Sequence, residues 1–168
     1  VMKLLKDILY KVRITGVQGD TNVAISSVVF DSRKVVSMCV YVALKGVSND
    51  GHAFIKDAVA KGAQAIVCET LPNQLQEGIT YVSVQNSAEA LGLMASNFFD
   101  NPSEKLKLTG VTGTNGKTTT ATLLYKLFSQ LGHKCGLLAT VKNYLGNRPI
   151  EATHTTPDAV QLNSLLNN

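Results

Sequence analysis

Leu106-Lys107-Leu108-Thr109-Gly110-Val111-Thr112-Gly113-Thr114-Asn115-Gly116-Lys117-Thr118-Thr119 is the stretch that decides the fold. Leu106, Leu108 and Val111 predict a strand over 106–112. A glycine-punctuated turn follows, and then a helix. Leu123, Leu124, Leu127, Phe128 and Leu131 share one side of that helix, with Gly132 as the residue past its end. Cys135 to Thr140 reads as the next strand. A strand, a glycine loop, a helix and a strand make the phosphate-binding half of a parallel sheet.

The loop has the chemistry of a triphosphate cradle. Gly113 and Gly116 let the backbone curl so that N–H groups converge on an anion. Thr114, Asn115 and Thr119 complete the loop and the first helical turn, whose positive end points at the same place. Lys117 can lie along the β and γ phosphates, and Thr118 can offer its hydroxyl to Mg²⁺. The general pattern G-x-x-x-x-G-K-[ST] puts glycine five residues before Gly116. Val111 stands there instead.

Upstream, apolar runs alternate with helical patterns, so the class is α/β. Val28 to Phe30, Val40 to Leu44, Ala65 to Cys68 and Tyr81 to Val84 read as strands. Phe54, Ala58 and Val59 fall on one face of a helix that stops at Gly62. A second helix is expected from Ser87 as N-cap, with Glu89 in its first turn. Its apolar stripe is Leu91, Met94, Ala95, Phe98 and Phe99. Asp100-Asn101-Pro102-Ser103 ends it. The reading divides the chain into residues 1–103 and 104–168.

Composition narrows the function classes. Hydrophobic residues make up 45% and charged residues 17% of the 168 residues, which suits a globular core. The net charge of +4 is scattered, so no nucleic-acid stripe is expected. Three cysteines without C-x-x-C spacing argue against a disulfide framework or a zinc site. Cys68 reads as a buried free thiol. No apolar run approaches the roughly 20 residues that span a bilayer, and no signal peptide is recognised. A soluble cytoplasmic protein with no membrane partner is expected. His52 reads as a turn or cap residue rather than a metal ligand, and His133 as a surface residue.

Gly110-Val111-Thr112-Gly113-Thr114-Asn115-Gly116-Lys117-Thr118-Thr119 resembles the ATP loop of the Mur ligases, which build the peptidoglycan stem peptide. Asp31-Ser32-Arg33, Tyr41-Val42-Ala43-Leu44-Lys45-Gly46 and Asp50-Gly51-His52-Ala53-Phe54-Ile55 resemble the family's uridine-nucleotide-binding N-terminal domain. Thr155-Thr156-Pro157-Asp158 resembles the turn that meets the sugar nucleotide. The combination is closest to the MurE type. That type adds meso-diaminopimelate or L-lysine to UDP-N-acetylmuramoyl-L-alanyl-D-glutamate. The MurF type, which adds D-alanyl-D-alanine, is the alternative. Ser37-Met38 stands where the family usually has Pro-Gly, so a different turn is expected there.

The resemblance implies a small α/β uridine-nucleotide-binding domain at 1–103. The beginning of a P-loop parallel-sheet ATPase domain follows at 104–168. It also implies ATP and Mg²⁺ as cofactors, with the UDP-linked dipeptide and an amino acid as substrates. ATP would phosphorylate a carboxylate, and the amine would displace phosphate from the acyl phosphate. Lys117 and Thr118 would serve the phosphoryl transfer. Phe30 and Ser32 would contact the uridine end, bordered by Val47, Ser48 and Asn49. His154, Thr155 and Thr156 would meet the sugar nucleotide. Taken without the resemblance, Asp31-Ser32-Arg33 is a solvated strand end, and Thr155-Thr156-Pro157 is a helix start with proline at its first position. A P-loop kinase or GTPase-like switch is a competing class, but the chain supplies neither a guanine motif nor a lid. A non-catalytic uridine-nucleotide module is another, for this fragment alone. The piece ending at Asn168 is expected not to complete catalysis. Its second part is expected to be partly disordered or paired with another chain.

Overall fold

Four parallel strands form because four short apolar runs sit between helix and turn signals. They are β4 (Ser27–Val29), β5 (Cys39–Val42), β6 (Ala65–Cys68) and β7 (Thr80–Val84), paired in that order. Every residue of β5 and β6 is buried, as expected for central strands covered on both faces. The computed structural model describes residues 2–46, 49–140, 143–150 and 157–167. It divides into two compact units, Val1–Asn101 and Pro102–Asn168.

The first unit adds β2 (Ile14–Gln18), antiparallel to β7 at the edge of the sheet. Sequence patterning missed β2, because its five residues are all exposed and carry no buried face. β1 (Lys3–Leu4) and β3 (Ala24–Ile25) make a separate two-stranded pair beside α1 (Leu5–Ile8). On one face of the large sheet, Cys39, Tyr41, Ile66, Cys68 and Tyr81 pack with Ile55, Ala58 and Val59 of α2 (Ile55–Ala60). Phe54, expected on that helical face, instead ends the 3-10 turn Gly51–Phe54 and is 40% exposed. Ile55 takes the buried position, because α2 starts one residue later.

α3 (Ser87–Phe98) buries Leu91, Met94, Ala95 and Phe98 of its predicted stripe, whereas Phe99 is the C-cap and half-buried. Its cap is Asn86, not Ser87. The Asn86 side chain accepts from the Ala88 and Glu89 amides, both at 3.0 Å. Ser87 is buried as the first helical residue and is taken by the Glu69 carboxylate. Asp100 and Asn101 then adopt left-handed φ of 61° and 49°, and Pro102 follows. Cys68 is a buried free thiol, and burial pushes it up to about 11.

Met38, which stands where the resemblance puts glycine in this turn, has φ 62°. It therefore keeps the left-handed conformation that glycine adopts without penalty. Its neighbours hold it there: the Met38 amide donates to the Gly62 carbonyl at 2.9 Å, and the Ser26 amide donates to the Met38 carbonyl at 2.8 Å.

In the second unit, the predicted strand over 106–112 is not formed. No ladder partner stands beside it among the described residues, and Leu106 and Leu108 are 45% and 60% exposed. Alternation alone does not make a strand without a neighbour to satisfy its backbone. The helix follows as predicted, as α4 (Lys117–Gln130). Past its end, the Gly132 amide donates to the Ser129 carbonyl and the His133 amide to the Phe128 carbonyl, the paired bonds of a Schellman close.

The predicted strand 135–140 shrinks to β8 (Gly136–Leu137). It pairs antiparallel with β9 (Asn143–Leu145), which turns into β10 (Arg148–Ile150). The described strands of this unit are thus antiparallel, and the parallel ladder belongs to the first unit. Tyr125 stacks on Tyr144 at 5.3 Å and donates its hydroxyl to the Gly146 carbonyl at 2.7 Å, which ties the hairpin to α4. α5 (Ala159–Leu166) is capped by Asp158, whose side chain accepts from the Gln161 amide at 2.8 Å. Pro157 therefore precedes the cap and does not occupy the first helical position.

Candidate functional site

Two sets of predicted residues lie in the two units. In the second, Gly113 and Gly116 have φ of 149° and 78°, so the loop turns through backbone that side chains rarely adopt. Gly116 is itself the N-cap of α4, and no side chain caps the helix there. The first-turn amides of Lys117, Thr118 and Thr119 therefore keep their partial positive charge facing the loop. Lys117 folds back over it, donating from Nζ to the carbonyls of Gly113 at 2.5 Å and Thr114 at 3.3 Å. Thr114, Asn115 and Thr119 are exposed around this turn, and Thr118 is half-buried.

An ammonium, uncapped amides and open glycine backbone fit the phosphates of a nucleotide. Among the described residues, no group of three or more His, Cys, Asp or Glu stands together to hold a metal ion. The Thr118 hydroxyl is the oxygen of this loop that can serve as a ligand to Mg²⁺.

In the first unit, β4 and β5 run parallel and side by side, so Phe30, Asp31 and Ser32 follow one carboxyl end, and the segment with Asn49 and Asp50 follows the other, at the same edge of the sheet. Open α/β sheets place ligands at these strand ends. Phe30 and Ser32 are half-buried and Asn49 is exposed. The Asp31 carboxylate caps the 3-10 turn Ser32–Lys34 by accepting from the Arg33 amide. It also takes a two-point bond from the guanidinium, at 2.9 and 2.8 Å. These bonds hold Asp31 down at about 2. Lys61 donates to the Ser32 carbonyl at 2.8 Å.

Asp50 is held below its ordinary value by the His52 amide and then by the His52 ring N–H. Burial raises the Tyr41 phenol, and the charges of Asp31 and Asp50 raise it further. The Tyr41 hydroxyl donates to the Gly51 carbonyl at 3.0 Å.

Val47, Ser48, His154, Thr155 and Thr156 lie outside the described residues. Glu69 and Tyr41 were not singled out as site residues, although both join the loops at this edge. The signal for Glu69 was a lone carboxylate directly after the fully buried run Ala65–Cys68.

Comparison with known proteins covers both units. Residues 24–99 match the family model described as Mur ligase family, catalytic domain, and residues 111–168 match the Mur ligase middle domain. A Cytophaga hutchinsonii protein named UDP-N-acetylmuramoyl-L-alanyl-D-glutamate--2,6-diaminopimelate ligase is 56% identical over 96% of this chain and 34% of its own length. The chain thus spans about a third of the length of the curated relatives it matches. A solved structure of a ligase of that same name has TM-score 0.73 at 24% identity, over 99% of this chain and 33% of its own, a likeness of fold. MurF ligase from Thermotoga maritima in complex with ADP has TM-score 0.53 at 30% identity, over 84% of this chain and 29% of its own. With both units matched by models of one family, and with more than half of the residues shared with a curated relative, this chain belongs to the Mur ligase family.

Proposed function

We propose that the chain is part of an ATP-dependent amide ligase of peptidoglycan precursor synthesis. In this reading it joins meso-diaminopimelate to UDP-N-acetylmuramoyl-L-alanyl-D-glutamate, with L-lysine as the alternative amine. Residues 1–103 bind the uridine nucleotide, and residues 104–168 begin the ATP-binding domain. The observation that carries this is the loop at Gly113–Lys117. It joins an uncapped helix start to a lysine that folds over the same turn. The name of the Cytophaga relative supports diaminopimelate. The ADP held by the Thermotoga relative supports a nucleotide at the loop.

ATP supplies a phosphoryl group that activates the dipeptide carboxylate as an acyl phosphate. With nucleotide bound, Lys117 would exchange its carbonyl acceptors for phosphate oxygens, and Thr118 would help hold a Mg²⁺ that neutralises phosphate charge. The α4 amides offset the charge that accumulates during transfer. Phe30 and Ser32 contact the uridine end, which Val47, Ser48 and Asn49 border. His154, Thr155 and Thr156 meet the sugar nucleotide. No described helix is long and apolar enough to cross a membrane. A cytoplasmic enzyme acting on soluble nucleotide substrates is consistent with that.

The test is phosphate release by the full-length protein with Mg²⁺-ATP and UDP-N-acetylmuramoyl-L-alanyl-D-glutamate, with each amine in a separate reaction. Turnover with diaminopimelate is expected, and Lys117→Ala should lower kcat by at least about a hundredfold. Silence with both amines, but turnover of the UDP-tripeptide with D-alanyl-D-alanine, would replace this reading with the MurF type.

A further inference from the structure

His52 reaches between loops that the sheet alone leaves independent. Its side chain is only 16% exposed. Nε2 accepts the Glu69 amide at 2.9 Å and the Thr70 amide at 3.4 Å. Because Nε2 accepts, Nδ1 carries the proton of the neutral ring, and it donates to Asp50 Oδ1 at 2.6 Å. The ring thus connects the segment after β5 to the first residues after β6. Glu69 Oε1 in turn accepts from the Ser87 amide at 2.9 Å and from the Ser87 hydroxyl at 2.8 Å, reaching the start of α3 after β7.

The segment itself is closed by the Gly51 amide on the Leu44 carbonyl at 2.8 Å and by the Gly46 amide on the Asn49 carbonyl at 3.0 Å. A Cβ at Gly51 would stand 2.8 Å from the Leu44 nitrogen, so the backbones meet with no room for a side chain.

We propose that His52, with Glu69 and Ser87, is a positioning residue. As the Nδ1–H tautomer it fixes the Asn49-Asp50 backbone against the strand ends so that the uridine-nucleotide subsite is formed before ligand arrives. The proposal rests on the reading of the first unit as a uridine-nucleotide domain. Backbone held in advance at Asn49-Asp50 does not lose its freedom on binding, so removing the relay weakens affinity without removing a ligand contact.

The probe is UDP, titrated calorimetrically into the 168-residue chain at a temperature well below the unfolding midpoint of each variant. His52→Phe keeps the ring shape and removes both nitrogens. It should weaken UDP on the order of tenfold, as expected when backbone that was held in advance must instead be ordered on binding. His52→Gln, whose carbonyl can take the place of Nε2, should recover most of that loss. Glu69→Ala should weaken UDP as well, and it decides the matter if His52→Phe does not fold. Nitrogen NMR shifts should report a protonated Nδ1 and a bare Nε2 in the free protein.

Wild-type affinity in folded His52→Phe or Glu69→Ala, or an Nε2–H tautomer, would overturn the relay while leaving the uridine reading in place. A wild-type chain that does not bind UDP at all would remove that reading, and this inference with it.

Discussion

Met38 and Asp31 show how much a single residue carries. A non-glycine residue in the left-handed region costs about 1–2 kcal/mol, and glycine costs roughly 0.5–1 kcal/mol in extra chain entropy. Met38→Gly, at φ 62°, should therefore raise the urea midpoint by the equivalent of about 0.5–1 kcal/mol. Met38→Ala should not.

Asp31 behaves differently, because its bonds to Arg33 lower its folded value from 3.8 to about 2. The folded protein then binds fewer protons than the unfolded chain between those values, so stability rises with pH there. It is fully present above about pH 4 and is lost as pH falls through about 2. Asp31→Asn should flatten that limb of a plot of urea midpoint against pH. Asp50 and Glu69 are also held below their ordinary values, by His52 and Ser87 respectively, and contribute loss in the same direction.

Among the elements, burial rather than helical pattern decides what a residue is worth. α3 and α4 both show a clear apolar stripe in sequence. Met94 of α3 is 0% exposed, whereas Leu131 at the end of α4 is 64% exposed. Met94→Ala should cost about 2–5 kcal/mol, and Leu131→Ala no more than roughly 0.5 kcal/mol, in thermal or urea unfolding. A comparable loss at both positions would mean that the α4 stripe is covered in solution.

The same contrast explains which elements were readable. β5 and β6 were, because central parallel strands need near-continuous apolar runs. β2 was not, because an exposed edge strand has no apolar period to detect. The segment 106–112 had the period and lacked the neighbour. The cap of α3 moved by one residue because Asn86 and Ser87 are both good caps. Glu69, 18 residues away from Ser87, decided between them by engaging the Ser87 hydroxyl.

For the whole molecule, the two predicted sites should respond to different ligands. In amide NMR spectra of this chain, UDP should shift residues around 30–33 and 49–52. Mg²⁺ with a non-hydrolysable ATP analogue should shift 113–119. Lys117→Ala should abolish the second response and leave the first unchanged. Shifts at 113–119 on adding UDP alone would contradict the assignment of separate ligands.

The sequence by itself determined the glycine turn at 113–116 and the helix start that follows it, because their chemistry is local. Two glycines, a lysine and a helix start lie within a few residues, and backbone conformation brings them together without help from the rest of the chain. It also determined the α/β class, since buried strands must be apolar. Only the tertiary structure decided the relay from Asp50 through His52 to Glu69 and Ser87. Those residues come from three different strand ends, and each has an ordinary local reading as a turn, cap or surface residue. They meet because β5, β6 and β7 run parallel and side by side, which puts their following loops within hydrogen-bonding distance of one another.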